Sequence, residues 1–392
     1  MNCFTTAWGE FELARFPEDP REQLRAWDAA DEYLLRHLHE AAVPLDGAVT
    51  VLGDRWGALS TALAAKASAL TAVTDSYLAS RAIAANLARN GLDPAAVAVR
   101  STQDAPPARI DVLLVRVPKS LALLEDQLHR LAPAVHGGTV VAGTGMVTEI
   151  HTSTLNLFER ILGPTRTSLA VRKARLIHTA PSAGPNTDPD AGLVRPANPW
   201  PLRYRLPDGI GVLSGRQVTN QAGVFCADRL DIGTRFFLQH LPEPTGAPRR
   251  IVDLGCGNGI VGTAAALADP DAELRFVDES FQAVASAEET FRTNLGPDRP
   301  AEFLVGDALA DVPTASADLV LLNPPFHSHQ ATTDAVARRM FTGARRVLRP
   351  GGELRVVGNR HLGYHVTLRR LFGNCRTVAG SPKFTVLSAV RR

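Results

Sequence analysis

The stretch ADLVLLNPPFHSHQ, Ala317 to Gln330, sets an unusual group of residues at the end of an apolar run. Asn323 offers a side-chain carbonyl as a hydrogen-bond acceptor, and Pro324 offers a backbone carbonyl. Neither Pro324 nor Pro325 carries an N–H that would compete. Two acceptors converging on one point suit an –NH2 donor, and they turn its nitrogen lone pair outward. Phe326 can stack on a flat acceptor, a contact that contributes about 1–3 kcal/mol per base. Pro325 stiffens the loop. Chemistry at a nitrogen held this way needs alignment more than a strong base, and alignment can supply about 7–11 kcal/mol. His327 and His329 have loop spacing, not zinc spacing, and no metal is expected.

A second motif, VDLGCGNGIVG, sets Gly255, Gly257 and Gly259 between a strand-like and a helix-like run, just after Asp253. Glycines let the chain turn tightly and let a ligand approach the helix N–H groups. A dinucleotide fingerprint would need a small residue at 260, where this chain has Ile260. The pattern favours a compact, partly cationic ligand near an acid. Asp278, ending the next strand-like run, can accept hydrogen bonds from two ribose hydroxyls. Asp307 ends the third run, where it can accept from an adenine amino group.

Alternating strand-like and helix-like runs must hold these residues. In the second half, RRIVDLG, ELRFVDES, AEFLVGDA and ADLVLL predict four strands separated by helices. Val336, Met340, Ala344 and Val347 share one face of the next helix. A turn and strand at RPGGELRVVGN follow, then strands at CRTVAG and KFTVLSAV. The first half repeats this order through AVTVLGDRWGALSTALAA, LTAVTDSYLAS, VAVRSTQD, IDVLLVRVPK and HGGTVVAG. Asp75 stands 22 residues past Gly53, and Asp278 stands 23 past Gly255. The expected fold is α/β: two tandem doubly wound Rossmann-like units. The segment HTAPSAGPNTDPDAGLVRPANPWP is too rich in proline, glycine and asparagine for a regular element. The expected organisation is a first domain over 1–180, a linker over 181–204 and a second domain over 205–392.

The first repeat lacks both motifs. Asp54-Arg55-Trp56-Gly57 puts bulk where the glycines stood, and Arg116-Val117-Pro118-Lys119 replaces the acceptors with cations. This half is expected to be degenerate, with Arg116 and Lys119 facing phosphates. From residue 335 onward the only acid is Glu353, against thirteen lysines and arginines. That skew predicts a phosphate-binding surface, with Arg360 and His361 on its crevice side.

Composition sets the outer limits. The chain has 392 residues, 45% hydrophobic and 21% charged, with a formal net charge of +2. Two domains are expected from that length. Four scattered cysteines without a C-x-x-C pair argue against a disulfide framework or structural zinc. No signal-like or membrane-spanning run is visible, and a cytoplasmic monomer is expected.

DLGCGNG resembles the first motif of the class I S-adenosylmethionine-dependent methyltransferases. The resemblance implies S-adenosylmethionine as cofactor, with Asp253, Gly255, Gly257, Asn258 and Gly259 around its methionine end. It assigns Asp278 to the ribose and Asp307 to the adenine, with Glu279 and Ala308 as further cofactor-binding residues. Tandem units with NPPFH in the second are similar to the ribosomal RNA guanine-N2 methyltransferases, and most similar to the large-subunit member. GVFCADRLDIGTRFFLQHLP, Gly223 to Pro242, resembles the segment that folds over the cofactor in that group, bringing in Phe225 and Gly233. The implied reaction is methylation of guanine N2 in 23S ribosomal RNA, or in a subunit precursor. The tip is shared with enzymes acting on small-subunit RNA and on a protein glutamine. A non-catalytic RNA-binding assembly factor is the rival from another class.

Overall fold

A computed structural model describes residues 3–20, 22–181, 196–246, 249–325 and 330–392. The chain divides into two compact units, Met1–Trp200 and Pro201–Arg392. Most of the expected linker, residues 182–195, lies outside the described residues. Asn198 and Trp200 belong to the first unit, where their side chains donate to Asp126 and Glu125.

The first unit is built on a seven-stranded sheet: β1 Ala48–Leu52, β2 Ala69–Thr74, β3 Val97–Ser101, β4 Ile110–Arg116, β5 Val135–Met146, β6 Thr165–Thr167 and β7 Ala174–Thr179. Its order is 3-2-1-4-5-7-6, with β7 antiparallel to both neighbours. The second unit carries β8 Arg250–Leu254, β9 Glu273–Asp278, β10 Ala301–Val305, β11 Ala317–Leu322, β12 Leu348–Asn359, β13 Arg376–Gly380 and β14 Phe384–Val390. Its order, 10-9-8-11-12-14-13, is the same, with β14 antiparallel. The repeat read from sequence is therefore a repeat of topology.

Central strands such as β8 and β11 are continuous apolar runs because both faces of a parallel sheet are covered. Leu319 and Leu321 enter the core under the helices Ile260–Ala268 and Phe281–Leu295, while Val320 and Leu322 enter the core under the helix Gln330–Val347. The strand order reverses between β8 and β11, so a crevice opens beyond their carboxyl ends. Gly255 and Asn323 follow those two ends.

Local chemistry is also repeated. Ser76 caps the helix Tyr77–Arg89 by accepting from Ala79 N–H, and Ser280 caps Phe281–Leu295 by accepting from Ala283 N–H. Gly57 and Gly259 begin corresponding helices, both in the left-handed region at φ +83° and +74°. A Cβ on Gly57 would lie 2.8 Å from Ile83 Cα, and one on Gly259 would lie 2.6 Å from Ala287 Cα. Both glycines exist to let two helices touch.

The matched glycine-to-aspartate spacings of the two halves do not correspond in the sheets. The N–H of Gly53 bonds to the carbonyl of Val73, and that of Gly255 bonds to Val277. Thr74, not Asp75, therefore corresponds to Asp278. The near-equal spacings hide a difference in loop length, and the acid at this strand end is present only in the second unit.

Several elements lie outside the repeated order: the hairpin Cys3–Thr6 with Gly9–Glu12, the hairpin Leu202–Arg205 with Gln217–Asn220, and the helix Ala29–Glu40. No helix among the described residues is long and apolar enough to cross a membrane.

Gly259→Ala is expected to destabilise the second unit by about 2–4 kcal/mol, combining left-handed strain with overpacking. Denaturant unfolding checks this, and a loss below about 0.5 kcal/mol would remove the close-contact role of Gly259.

Candidate active site

Asn323 stands one residue past β11, and its amide is oriented by the helix Ile232–Leu238. Asn323 Nδ2 donates to Thr234 Oγ1 at 3.0 Å. Thr234 in turn donates its backbone N–H (2.9 Å) and its hydroxyl (3.4 Å) to Asp231 Oδ2, the cap of that helix. A carboxylate only accepts, so the hydroxyl proton is committed to Asp231. Thr234 Oγ1 is left to accept from Asn323, and this fixes which end of the amide is which. Asn323 Oδ1 is then buried, and it accepts no hydrogen bond from any described residue. An unsatisfied buried acceptor costs about 1–3 kcal/mol, a cost that a bound donor relieves. Pro324 is buried and Pro325 exposed. Phe326, expected to stack on substrate, lies outside the described residues together with His327 and His329.

The glycine turn follows β8. Asp253 is buried within that strand, and its Oδ2 accepts from Gly262 N–H at 2.7 Å. Burial pushes this carboxyl up to about 8. Asp253 therefore braces the helix behind the turn, and only its other oxygen is left for a ligand. Gly255 and Gly257 take left-handed backbone at φ +67° and +52°. A Cβ on Gly257 would find no atom of a described residue within 4 Å, and one on Gly255 would lie 3.0 Å from Met340 Cε. Gly257 thus borders open space that a ligand can enter. Asn258 is turned aside, with its Nδ2 donating to Asn220 Oδ1 at 3.0 Å, and Asn220 donates to the carbonyl of Ala227.

Asp278 ends β9 and accepts from Gly257 N–H (3.0 Å) and Ser280 N–H (3.1 Å) through separate oxygens. Burial raises its pKa. The Glu279 N–H also favours the ionised form, and the carboxylate keeps acceptor capacity for a hydroxyl donor. Glu279 is exposed beside it. Asp307 also has a raised pKa from burial, opposed by Arg339, whose Nε lies 3.0 Å from Asp307 Oδ1. Ala308 follows at φ +50°. Phe225 is 54% exposed. Gly233 sits one residue before Thr234, where a Cβ would lie 3.0 Å from both Asp231 Oδ2 and Phe384 Cε1. Its role is close packing of this helix onto β14. The turn therefore fits the cofactor that the sequence implies: an open glycine cradle, an acid with spare acceptors at the second strand end, and an orphaned acceptor at the fourth.

In the first unit Arg116 occupies the place of Asn323, since Val115 pairs with Leu52 as Leu322 pairs with Leu254. The expectation that Arg116 grips phosphate is wrong. Its side chain is 1% exposed and ringed by Asp28 (2.6 Å), Glu149 (2.8 Å) and Asp31 (3.3 Å). Arg55, in the place of Gly257, joins the same cluster through Glu149 at 2.7 Å. A buried cation must be paired, and Arg116 has no face left for RNA. Lys119 is exposed.

Part of the carboxy-terminal basic run is also internally engaged. Arg339 pairs with Asp307 and Arg349 with Asp318; Arg355 is buried against Glu353 and the His240 carbonyl. Arg346 and Arg391 donate to backbone carbonyls. Arg360 and His361 are exposed on the turn that directly follows β12, at the crevice end of the sheet. No group of three or more potential metal ligands occurs among the described residues.

Sequence reasoning missed Asp231, Thr234, Asn220 and Arg339. The signal for the first two was a helix cap, D-x-x-T, inside the segment already singled out. Nothing in the sequence linked that cap to Asn323, 89 residues away.

The RLMG N-terminal domain model matches residues 1–183, and the methyltransferase small domain model matches 215–388. Ribosomal RNA large subunit methyltransferase G of Streptomyces avermitilis is 70% identical over 388 residues, covering 99% of each chain. The protein of the same name from Ectopseudomonas mendocina is 47% identical, covering 99% of this chain and all of its own. Among solved structures, the T. thermophilus 16S rRNA N2 G1207 methyltransferase in complex with AdoMet and guanosine superposes with a TM-score of 0.72 at 20% identity. That match covers 100% of this chain and 97% of the other. At that identity the likeness establishes the two-domain fold.

Thr234→Val is expected to lower turnover about 10- to 100-fold while cofactor affinity, read by calorimetry, stays unchanged; Thr234→Ser should restore turnover. Equal losses in Val and Ser variants would make Thr234 merely structural. Arg116→Met is expected to destabilise the first unit by about 3–5 kcal/mol, as removal of one partner from a buried pair does, read by denaturant unfolding. A pH dependence follows from the same cluster. Burial holds the Asp31 carboxyl up at about 7, although Arg116 pulls it down. The folded state therefore keeps a proton that the unfolded state has released, and stability falls as pH rises from about 4 to about 7. For Glu149 burial is outweighed by Arg116 and Arg55, which hold it at about 2, so its contribution is present above the ordinary carboxylate range and lost as pH falls toward 2. Asp31→Asn should flatten the first slope in a pH series of unfolding midpoints and leave the second.

Proposed function

We propose that this chain, which belongs to the ribosomal RNA large subunit methyltransferase G family, transfers a methyl group to the exocyclic N2 of a guanine in 23S ribosomal RNA. The observation that carries this reading is the buried Asn323 Oδ1, held without a partner by the Thr234–Asp231 chain. S-adenosylmethionine, when bound, supplies an electrophilic sulfonium methyl. Gly255, Gly257 and Asp278 would hold it, with Asp253 stiffening the helix behind them and Asp307 beside the adenine.

Asn323 Oδ1 and the Pro324 carbonyl accept the two amine protons, which turns the nitrogen lone pair out of the base plane. Both acceptors are neutral, so the amine keeps its protons until it has attacked; the cationic product then loses one without a dedicated base. Alignment of this kind contributes through near-attack geometry. The guanine leaves its stack to reach the tip, and Phe326 is assigned to stack on it. Arg360, His361 and Lys119 are assigned to RNA contacts. Every side chain assigned to the transfer itself comes from one unit of one chain, so a monomer suffices for this reading.

Asn323→Ala is expected to retain cofactor affinity and lose transfer by about 10²–10³-fold, the scale of removing one preorganised polar contact. Turnover within threefold of the unaltered protein would end the role given to Asn323. Incubation with labelled cofactor and 23S RNA, 16S RNA, assembled subunits and release factor, followed by mass mapping, checks the substrate. The label is expected on N2 of one guanine in 23S RNA, and its appearance elsewhere overturns the reading.

A further inference from the structure

Asn359 ends β12, the strand beside β11. Side chains alternate across a strand. Val357, two residues earlier, lies with Leu321 in the core under the helix Ile232–Leu238, whereas Gly358 lies against the Tyr364 ring on the opposite face. Asn359 thus shares the sheet face of Asn323. Its register partner on β14 is Phe384, whose ring packs against Gly233, the neighbour of Thr234. Both asparagines stand at the carboxyl ends of adjacent strands, beside the same helix.

The Oδ1 of Asn359 is buried, and it too accepts no hydrogen bond from a described residue. Asparagine is a favoured cap, and Asn359 stands at the cap position of the turn Arg360–Leu362 with extended backbone, yet its side chain makes no capping bond. Local structure therefore makes no use of this oxygen. Among the described residues, Asn323 and Asn359 are the asparagines whose buried side-chain oxygen lacks a donor.

Guanine carries adjacent donors on one edge, N1–H and N2–H2. Adenine sets its amine beside an N1 acceptor, and a glutamine amide sets its amine beside a carbonyl. An acceptor beyond the pair that holds the amine, placed toward the adjoining ring position, complements guanine alone of the three. Resting on the guanine-N2 reading above, we propose that Asn359 Oδ1 accepts the N1–H of the target guanine while Asn323 accepts from N2, so that Asn359 is a specificity-determining residue. A base with a 2-amino group but an unprotonated N1 would face this oxygen with a lone pair, leaving a buried acceptor unsatisfied.

The test uses the full chain and RNA synthesised with either guanine or 2-aminopurine at the target position; 2-aminopurine keeps the amine and lacks the N1 proton. The unaltered protein should favour guanine in kcat/KM. Asn359→Leu should lose about 10- to 100-fold on guanine and little on 2-aminopurine, so the ratio collapses toward one, with cofactor affinity unchanged by calorimetry. Asn359→Asp, which keeps an acceptor, should preserve the preference. If the leucine variant has a lowered melting temperature, Asn359→Ala is read through the same ratio, which global destabilisation does not move. A ratio unchanged from that of the unaltered protein overturns the proposal, whatever the absolute rates. Absence of guanine-N2 product from the unaltered protein instead overturns the functional reading, and this inference with it.

Discussion

A buried amide oxygen kept without a donor is the constraint on which the second unit depends. Left to itself an asparagine at a strand end would rotate to satisfy both ends of its amide. Here Nδ2 is tied to Thr234, whose own proton is tied to Asp231, so the amide cannot turn over without breaking two bonds. The apolar run of β11, packed on both faces, removes backbone freedom below it, and the prolines after it bring no N–H to the tip. The unsatisfied oxygen is tolerable because the surrounding unit is stable enough to carry its cost. Transfer chemistry that relies on alignment needs this kind of stored asymmetry.

The two units show how one frame can be filled in opposite ways. Strand order, the Gly57 and Gly259 contacts and the serine caps are common to both. Even the helix behind the turn is held through the same backbone position. Ser60 N–H donates to Asp54 in the turn, and Gly262 N–H donates to Asp253 in the strand before it. What differs is the space beyond the strand ends. In the second unit glycines leave it open; in the first, Arg55 and Arg116 enter it with Asp28, Asp31 and Glu149 around them. An ion-pair cluster holds the first unit where a ligand would serve the second. The cluster is self-satisfying, so its charges are internal ties and give the surface little field.

The same distinction applies to the basic carboxy-terminal run. A skewed count of arginines describes charge but not its availability. Arg355 and Arg346 join elements of the fold, and Arg339 lies against Asp307. The exposed remainder, including Arg360 and His361 after β12, stands at the end of the sheet where Asn323 and Asn359 are also found.

The sequence by itself determined the two-unit α/β architecture, the glycine turn and the asparagine tip. These are encoded locally: apolar runs bounded by turn residues set strands, glycines at left-handed positions set the turn, and prolines set the tip. It also determined which copy kept its motifs, because loss of a glycine is visible as a side chain. Only the tertiary structure decided what each polar group faces. Arg116 ends one strand and Arg360 directly follows another, yet the first is enclosed by three acids and the second is exposed. Thr234 and Asn323 meet across 89 residues, and Asn359 joins their face through the alternation of β12. Hydrogen-bond partners and desolvation depend on distances through space, and neighbours along the chain do not set those distances.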